Sequence, residues 1–509
     1  MLTYDLSKRG EQPLYEYLYE SIKADITTGA LQAGDRIPSK RKLAQHLGVS
    51  LMTIEGAYNQ LIAEGYIRSA ERRGYFVNKI VVPYRVETRQ SKNLKTTHAD
   101  QHRSPEATNQ GWEADSFLTV SKSDDATEGE ASSPCIDLTG SIPPQGLFPY
   151  NRWSFHIRKV LTEADERMLV AESGPFGSPA LRQAIANFLF SYRGMEVNPD
   201  NIVIGAGSQV LYQLIVQLLG RNVRYALENP GYGRLARIYH ANDVDMIPIP
   251  LDEDGISMDD LRTSGATIAH IMPTHQYPTG QITSIARRYE LLAWASGDPD
   301  RYIIEDDYDC ELQFSGRPIP SLQSIDTQQK VVYLNTFTKS LGPSFRMSYM
   351  VLPDSLAQRF RKQLGFYSCT ANAIDQLALA RFIDTGEYER HINRLRTRLR
   401  SNVVELAQAL KRSGLTELAL ENAFAGSHCL LRIDGPLSAN EFAKAARNED
   451  VRIRPLETFL IDGSGTRDTS KIGYLNRRLV IDHGALSEAN IASCARKIAR
   501  IYEHCQKRQ

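Results

Sequence analysis

From about Cys135 onward, short apolar runs alternate with amphipathic helical stretches, and this alternation limits the fold more than any other feature of the chain. The runs are Asn201–Gly205, Arg224–Leu227, Asp245–Ile249, Ile268–Met272, Tyr302–Ile304, Val331–Leu334 and Met347–Leu352. Such a pattern predicts an α/β domain with a mostly parallel, twisted sheet, helices on both faces, and ligand-handling residues at the C-terminal ends of the strands. Residues with useful chemistry do fall at those ends. Gly205-Ala206-Gly207-Ser208-Gln209 opens a helix after the first run, and free backbone N–H groups there suit an anion. The second run is followed by Tyr232 in a tight Gly-rich turn, the fifth by the acidic cluster Glu305-Asp306-Asp307-Tyr308-Asp309.

The sixth run leads into Lys339, set between Thr338 and Ser340 with Arg346 seven residues on. An unpaired ammonium at the end of a buried strand costs on the order of several kcal/mol, so this lysine must be solvated, paired or covalently consumed. A Schiff base with pyridoxal 5′-phosphate removes that cost, and the hydroxyls of Thr336 and Thr338 with the Arg346 cation suit a phosphate. The acids at 305–309 repel one another, so at least one needs a proton or a cation beside it. A protonated pyridine nitrogen is such a partner, and a magnesium ion is the competing one.

Lys plus Arg equals Asp plus Glu, 60 each in 509 residues, so any charge that meets nucleic acid must be local. The six cysteines contain no Cys-x-x-Cys pair, which argues against a disulfide framework or a zinc site, and no metal is expected. No apolar run reaches the roughly 18 residues of a membrane span, and the first residues lack a signal-peptide core. A cytoplasmic protein without membrane contact is expected.

Leu14, Tyr17, Leu18, Ile22 and Ile26 recur at helical spacing over Pro13–Thr28, ended by Gly29 and a turn at Gly34–Pro38. Ser39 then caps Lys40–Leu47, Gly48 closes it, and Ser50 caps a helix running to about Glu64, which together make a helix-turn-helix. Tyr66–Arg68 and Tyr75–Val77 flank a basic loop and read as a wing hairpin. The motifs Pro38–Ala44, Leu47–Ser50, Leu61–Ile67 and Arg73–Val77 resemble the GntR family of bacterial transcription regulators. That resemblance implies a winged helix in which Ser39, Lys40, Arg41, Ser50 and the start of the second helix face duplex DNA, with Arg72, Arg73 and Gly74 at the backbone or minor groove. Leu51 and Glu55 stand where many relatives carry arginine, so base reading falls to Thr53, to apolar thymine contacts or to Glu55 accepting from cytosine.

Glu87–Ser133 is dominated by polar residues and has too little apolar surface to offset ordering entropy. The expected division is a DNA-binding domain at 1–82, a flexible polar linker at 83–134 and an effector domain at 135–509. A linker of that kind has a reach on the order of 40 Å.

Across roughly Asp137–Lys507 the chain resembles the fold-type I pyridoxal-phosphate enzymes of the aspartate aminotransferase superfamily, an α/β/α sandwich with a small C-terminal subdomain. By that resemblance Lys339 forms the Schiff base, Asp306 meets the pyridine nitrogen, Tyr308 lies near the ring hydroxyl and Tyr232 stacks on the ring. Gly207, Ser208, Gln209, Thr336, Thr338 and Arg346 form the phosphate cup. The family's Asn-Pro-x-Gly is replaced by His275-Gln276-Tyr277-Pro278-Thr279-Gly280, with Tyr277 or His275 as substitutes for the amide. Arg478, with Arg477 as the near alternative, falls where the superfamily clamps a substrate carboxylate. Together with the winged helix, Glu228–Arg234 and Pro273–Gly280 resemble the MocR subfamily of GntR regulators, in which Arg234 matches a position implicated in effector binding. The expected function is a transcription regulator that senses pyridoxal phosphate or an amino acid or amine effector, as a homodimer on repeated half-sites, a domain-swapped form remaining open. Net turnover is not expected. The alternative is a working aminotransferase with an accessory DNA-binding domain.

Overall fold

The computed structural model describes residues 12–63, 65–70, 74–78, 135–140, 146–314, 320–423, 426–461 and 473–506, with residues 2, 4 and 6–9 ahead of them. The expectations for Arg72, Arg73 and the linker at 83–134 lie outside the described residues.

In the N-terminal domain, helix α1 (Leu14–Thr27) buries Leu18, Tyr19, Ile22 and Ile26. Ser39 caps α2 (Lys40–Leu47), its hydroxyl accepting the Lys42 N–H, and Gly48 ends that helix at φ 65°. Helix α3 spans Leu51–Ala63. The wing hairpin pairs β2 (Ile67–Ala70) with β3 (Gly74–Val77). Here the structure corrects the sequence reading, because Arg36–Ile37 is not only a turn. It forms strand β1, antiparallel to β3 with Arg36 opposite Phe76 and Ile37 opposite Tyr75. Backbone bonds from Gly34 N to the Val77 carbonyl and from Val77 N to the Asp35 carbonyl, both 2.9 Å, fasten it there.

The large sheet has eight strands in the order Ile202–Gly205, Ser348–Val351, Val331–Thr336, Tyr302–Asp306, Ile268–Ile271, Tyr225–Asn229, Met246–Asp252, Gly255–Ile256. The five central strands from Val331–Thr336 to Met246–Asp252 run parallel. Ser348–Val351 is antiparallel to both neighbours. A parallel return needs a crossover of a dozen or more residues, and the short segment holding Lys339 and Arg346 is too brief to supply one. Near-continuous burial of Ile303, Ile304, Val331, Val332, Leu334 and Met350 follows from helices on both faces.

C-terminal to this lies a four-stranded antiparallel sheet of Leu418–Glu421, His428–Ile433, Arg478–Asp482 and Arg454–Pro455. In the Arg478–Asp482 strand, Leu479 and Ile481 enter the subdomain core with Cys429, Leu431 and Ile433. The two-residue period then puts Arg478, Val480 and Asp482 on the opposite face. No helix among the described residues is long and apolar enough to cross a membrane.

Candidate functional site

The loop after Ile202–Gly205 turns through Gly207 at φ 90° into the helix Ser208–Leu219. Arg346, itself left-handed at φ 47°, closes on this turn and donates to the Ala206 carbonyl at 3.1 Å. A Cβ at 207 would lie 2.3 Å from Arg346 Nη2, so the approach requires glycine. Opposite the helix start, the Thr336 and Thr338 hydroxyls are 2.7 Å apart and Ser348 donates to Thr336 Oγ1 at 2.7 Å. The helix N-terminus at Ser208 and Gln209, the Arg346 guanidinium and these hydroxyls are the donor types a phosphate takes.

The acidic cluster is resolved by strand period and partner. Glu305 accepts from the backbone N–H groups of Leu322 and Gln323 at 2.7 and 2.9 Å. Asp307 is held by Arg193 at 2.6 Å, both side chains fully buried. Asp309 lies 2.8 Å from His275 Nδ1. Asp306 points to the other face, where it accepts from the Tyr212 hydroxyl at 2.5 Å with His270 Nε2 at 3.5 Å. Among the described residues it has no Lys or Arg in ion-pair range, and it is 3% exposed. A buried carboxylate in that state suits a cationic ring nitrogen.

Around it stand aromatic and imidazole side chains. The Tyr308 hydroxyl lies 3.3 Å from His275 Nδ1. Burial, then the Asp309 charge, pushes the Tyr308 phenol well above the usual tyrosine range. Tyr277 meets Tyr232 edge-on at 5.8 Å and Tyr308 edge-on at 6.3 Å. His428 packs 4.2 Å from His275, and burial followed by the His275 and Lys339 charges drives its pKa well down. His275, Asp309 and His428 bring metal-ligand-type atoms within 4.8 Å of one another. Asp309 and Tyr308 both address the same His275 nitrogen, so the Nδ1 is shared between the carboxylate at 2.8 Å and the phenol at 3.3 Å.

Lys339 lies in the one-turn helix Thr338–Leu341 immediately beyond the sixth strand. Its Nζ donates to Ser427 Oγ at 3.3 Å and lies 3.5 Å from Asp482 Oδ2. Burial works to lower the Lys339 pKa, but Asp482, Tyr277 and Asp309 outweigh it and the net shift is upward.

The arginines are distributed differently from the sequence reading. Arg478 is on the expected face, yet its fork is taken by Glu421 at 2.7 and 3.1 Å and its plane covers Tyr474 at 3.7 Å. Arg477 is exposed, as is Arg234, whose charge is felt by Tyr232. Arg454, absent from that reading, reaches the site. It sits opposite Val480 in the neighbouring strand and donates to the Tyr277 hydroxyl at 3.0 Å and the Thr139 carbonyl at 3.1 Å. Its buried Nε has no hydrogen-bond partner among the described residues. Asp482 was missed as well. The available signal was alternation: Val451-Arg452-Ile453-Arg454-Pro455 and Arg478–Asp482 both read as short strands with charges on one face.

In the winged helix, Arg41, Ser50 and Leu51 are exposed, and Thr53 is half-buried with its hydroxyl 2.8 Å from that of Ser50. Lys40 is drawn inward, 3.6 Å from Glu55 and donating to Asn59 Oδ1 at 3.2 Å. Both side chains of this pair keep exposed surface. Gly74, at φ 104°, packs where a Cβ would lie 3.4 Å from Arg36 Nε.

Residues 14–77 match the bacterial regulatory proteins of the gntR family, and residues 150–467 match aminotransferase class I and II. The HTH-type transcriptional regulator YhdI of Bacillus subtilis is 35% identical over 96% of this chain and 95% of its own length. The probable rhizopine catabolism regulatory protein MocR of Rhizobium meliloti is 28% identical over 89% of this chain and 88% of its own. The chain belongs to the MocR-type GntR regulators. A multiple substrate aminotransferase from Thermococcus profundus shares the fold of its large domain, with a TM-score of 0.64 at 24% identity over 74% of this chain and 93% of that one.

As a MocR-type regulator the protein is a DNA-binding transcription factor whose large domain takes pyridoxal 5′-phosphate. The residues present fit that group: the Gly207–Arg346 cradle suits its phosphate, and Asp306, which no Lys or Arg among the described residues neutralises, suits its ring nitrogen.

Proposed function

We propose that this MocR-type regulator carries pyridoxal phosphate covalently on Lys339 and that an amino compound displacing the lysine alters DNA binding. The observation that carries the reading is the place of Lys339, between the phosphate cup and Asp306 at the sheet's C-terminal edge. When bound, the cofactor supplies an electrophilic carbon for a primary amine.

The chain's own residues do the rest. Arg346, Thr336, Thr338 and the Ser208 helix end would hold the phosphate. Asp306 holds a proton on the ring nitrogen, and Tyr212 and His270 hold Asp306. Tyr308, aligned by the His275–Asp309 pair, faces the ring hydroxyl, and Tyr232 with Tyr277 excludes water from the ring face. Arg454 receives the acid group of the ligand, since its fork is turned into the site and only partly used, whereas that of Arg478 is filled by Glu421. An effector with an amine and an acid is therefore the class that fits.

A cytoplasmic homodimer is part of this reading. Tyr150, Leu161, Met168 and Val170 on the helices Tyr150–Glu163 and Glu166–Val170 are 51–75% exposed, apolar surface that a second copy would cover. Two winged helices then meet two half-sites. Coupling to DNA amounts to a difference in ligand affinity between two states of the dimer. The test is selection of a binding site from random duplexes, followed by its affinity for apo protein, protein with pyridoxal phosphate, and protein with amino acids added. A change of severalfold or more between these is expected, and identical affinities in all states would refute the reading.

A further inference from the structure

Asp482 has no role in a family phosphate cup or carboxylate clamp, yet it is built in with care. It is 9% exposed at the end of the Arg478–Asp482 strand. Its Oδ1 accepts the Gly484 N–H at 3.0 Å, and its Oδ2 accepts from Ser427 Oγ at 3.3 Å. Gly140 turns against it at φ 74°, where a Cβ would lie 2.4 Å from Oδ2, so any side chain there would evict the carboxylate. Among the described residues the one cation within ion-pair range of Asp482 is Lys339, at 3.5 Å, and Ser427 touches both.

A Lys339 nitrogen released from the cofactor carries a full ammonium charge and three N–H donors, the form that Asp482 and Ser427 accept here. From this geometry, and resting on the site reading given above, we infer that Asp482 is the catch for the displaced Lys339 ammonium, a positioning residue that favours the amine-bound state. The exchange balances without any other reactant. The ligand's ammonium gives up protons as its nitrogen bonds to the cofactor carbon, the bond from that carbon to Lys339 Nζ breaks, and the protons end on Nζ. Lys339 leaves as an ammonium, and Asp482 with Ser427 receives it. Once Lys339 is released, the buried carboxylate gains a full ammonium as its partner, so removing its charge should disfavour displacement more than attachment.

The test uses full-length protein with methylamine, which has no acid group and makes no demand on Arg454. Protein loaded with pyridoxal phosphate is titrated with methylamine at one fixed pH, reduced with borohydride, and weighed intact. The readout is the fraction of chain still carrying cofactor covalently. Asp482→Asn is expected to need roughly tenfold more methylamine for half-displacement, the scale of one lost charge-assisted contact. An unchanged midpoint overturns the inference.

A cofactor-free arm guards against a folding defect. In apo protein, Asp482→Asn should lower Tm in the wild-type background and not in Lys339→Ala, where the carboxylate has already lost its cation. Equal Tm changes in both backgrounds mean that Asp482 is purely structural and also overturn the inference. Failure of wild type to take up pyridoxal phosphate on Lys339 would instead sink the parent reading, an outcome visible before any methylamine is added.

Discussion

The two walls of the site are made by different means. The cofactor wall comes from strand ends of one sheet: Asp306 and Thr336 end their strands, Gly207, Tyr308 and Lys339 follow theirs, and the parallel order brings them to one edge. The ligand wall comes from the small antiparallel sheet, where cross-strand register sets Arg454 opposite Val480 and Asp482 opposite His428. One wall is fixed by connectivity and the other by pairing. Connectivity therefore leaves the second wall free to vary, and here the fork of Arg478 is filled by Glu421 while Arg454 lies beside Tyr277.

Substitutions on each side should separate the walls. The largest effect is expected for Lys339→Ala, which should abolish covalent cofactor and the visible band near about 420 nm that an imine of pyridoxal gives. Asp306→Ala comes next. It leaves the ring's positive charge without a buried partner, a loss of about 3 kcal/mol, read as at least ~100-fold weaker cofactor binding by absorbance titration. On the ligand wall, Arg454→Ala should leave cofactor uptake unchanged and weaken acid-bearing amines by roughly 1.5–3 kcal/mol, as one lost charge-assisted contact. Arg478→Ala should change ligand affinity less than about threefold. If these two arginines behaved alike, the distinction drawn from Glu421 would fail.

The readable part of this molecule was whatever depends on local order. Residue types at strand ends marked Lys339, Asp306 and Tyr308, and caps at Ser39 and Gly48 marked the first helix of the helix-turn-helix to the residue. Arg478 was placed on the correct face by strand period, but its capture by Glu421, 57 residues away, is a matter of sheet register. Arg454 was hidden for the same reason, since nothing near it in sequence shows that Val480 and Tyr277 lie beside it. The ion pair of Lys40 with Glu55 likewise depends on the packing of α2 on α3, which neither stretch shows alone.

The smallest effect is expected behind the cofactor wall. Burial pushes the Glu228 carboxyl from its ordinary 4.5 up to about 8, against backbone and side-chain bonds from Met272 and Gln276. Between those values the folded chain keeps a proton that the unfolded chain has released, so stability falls as pH rises through that window. Glu228→Gln preserves shape and removes that share, at most about 1.4 kcal/mol per pH unit. Melting curves should therefore be flatter from neutral pH to pH ~8 in the variant than in wild type.

The claim on which the rest depends is that Lys339 is the covalent seat. Borohydride reduction of protein incubated with pyridoxal phosphate, followed by proteolysis and peptide mass analysis, tests it most directly. The account predicts one phosphopyridoxyl group per chain, on Lys339, and none after pretreatment with an amine that displaces it. Modification spread over surface lysines, or its absence from Lys339, would contradict it.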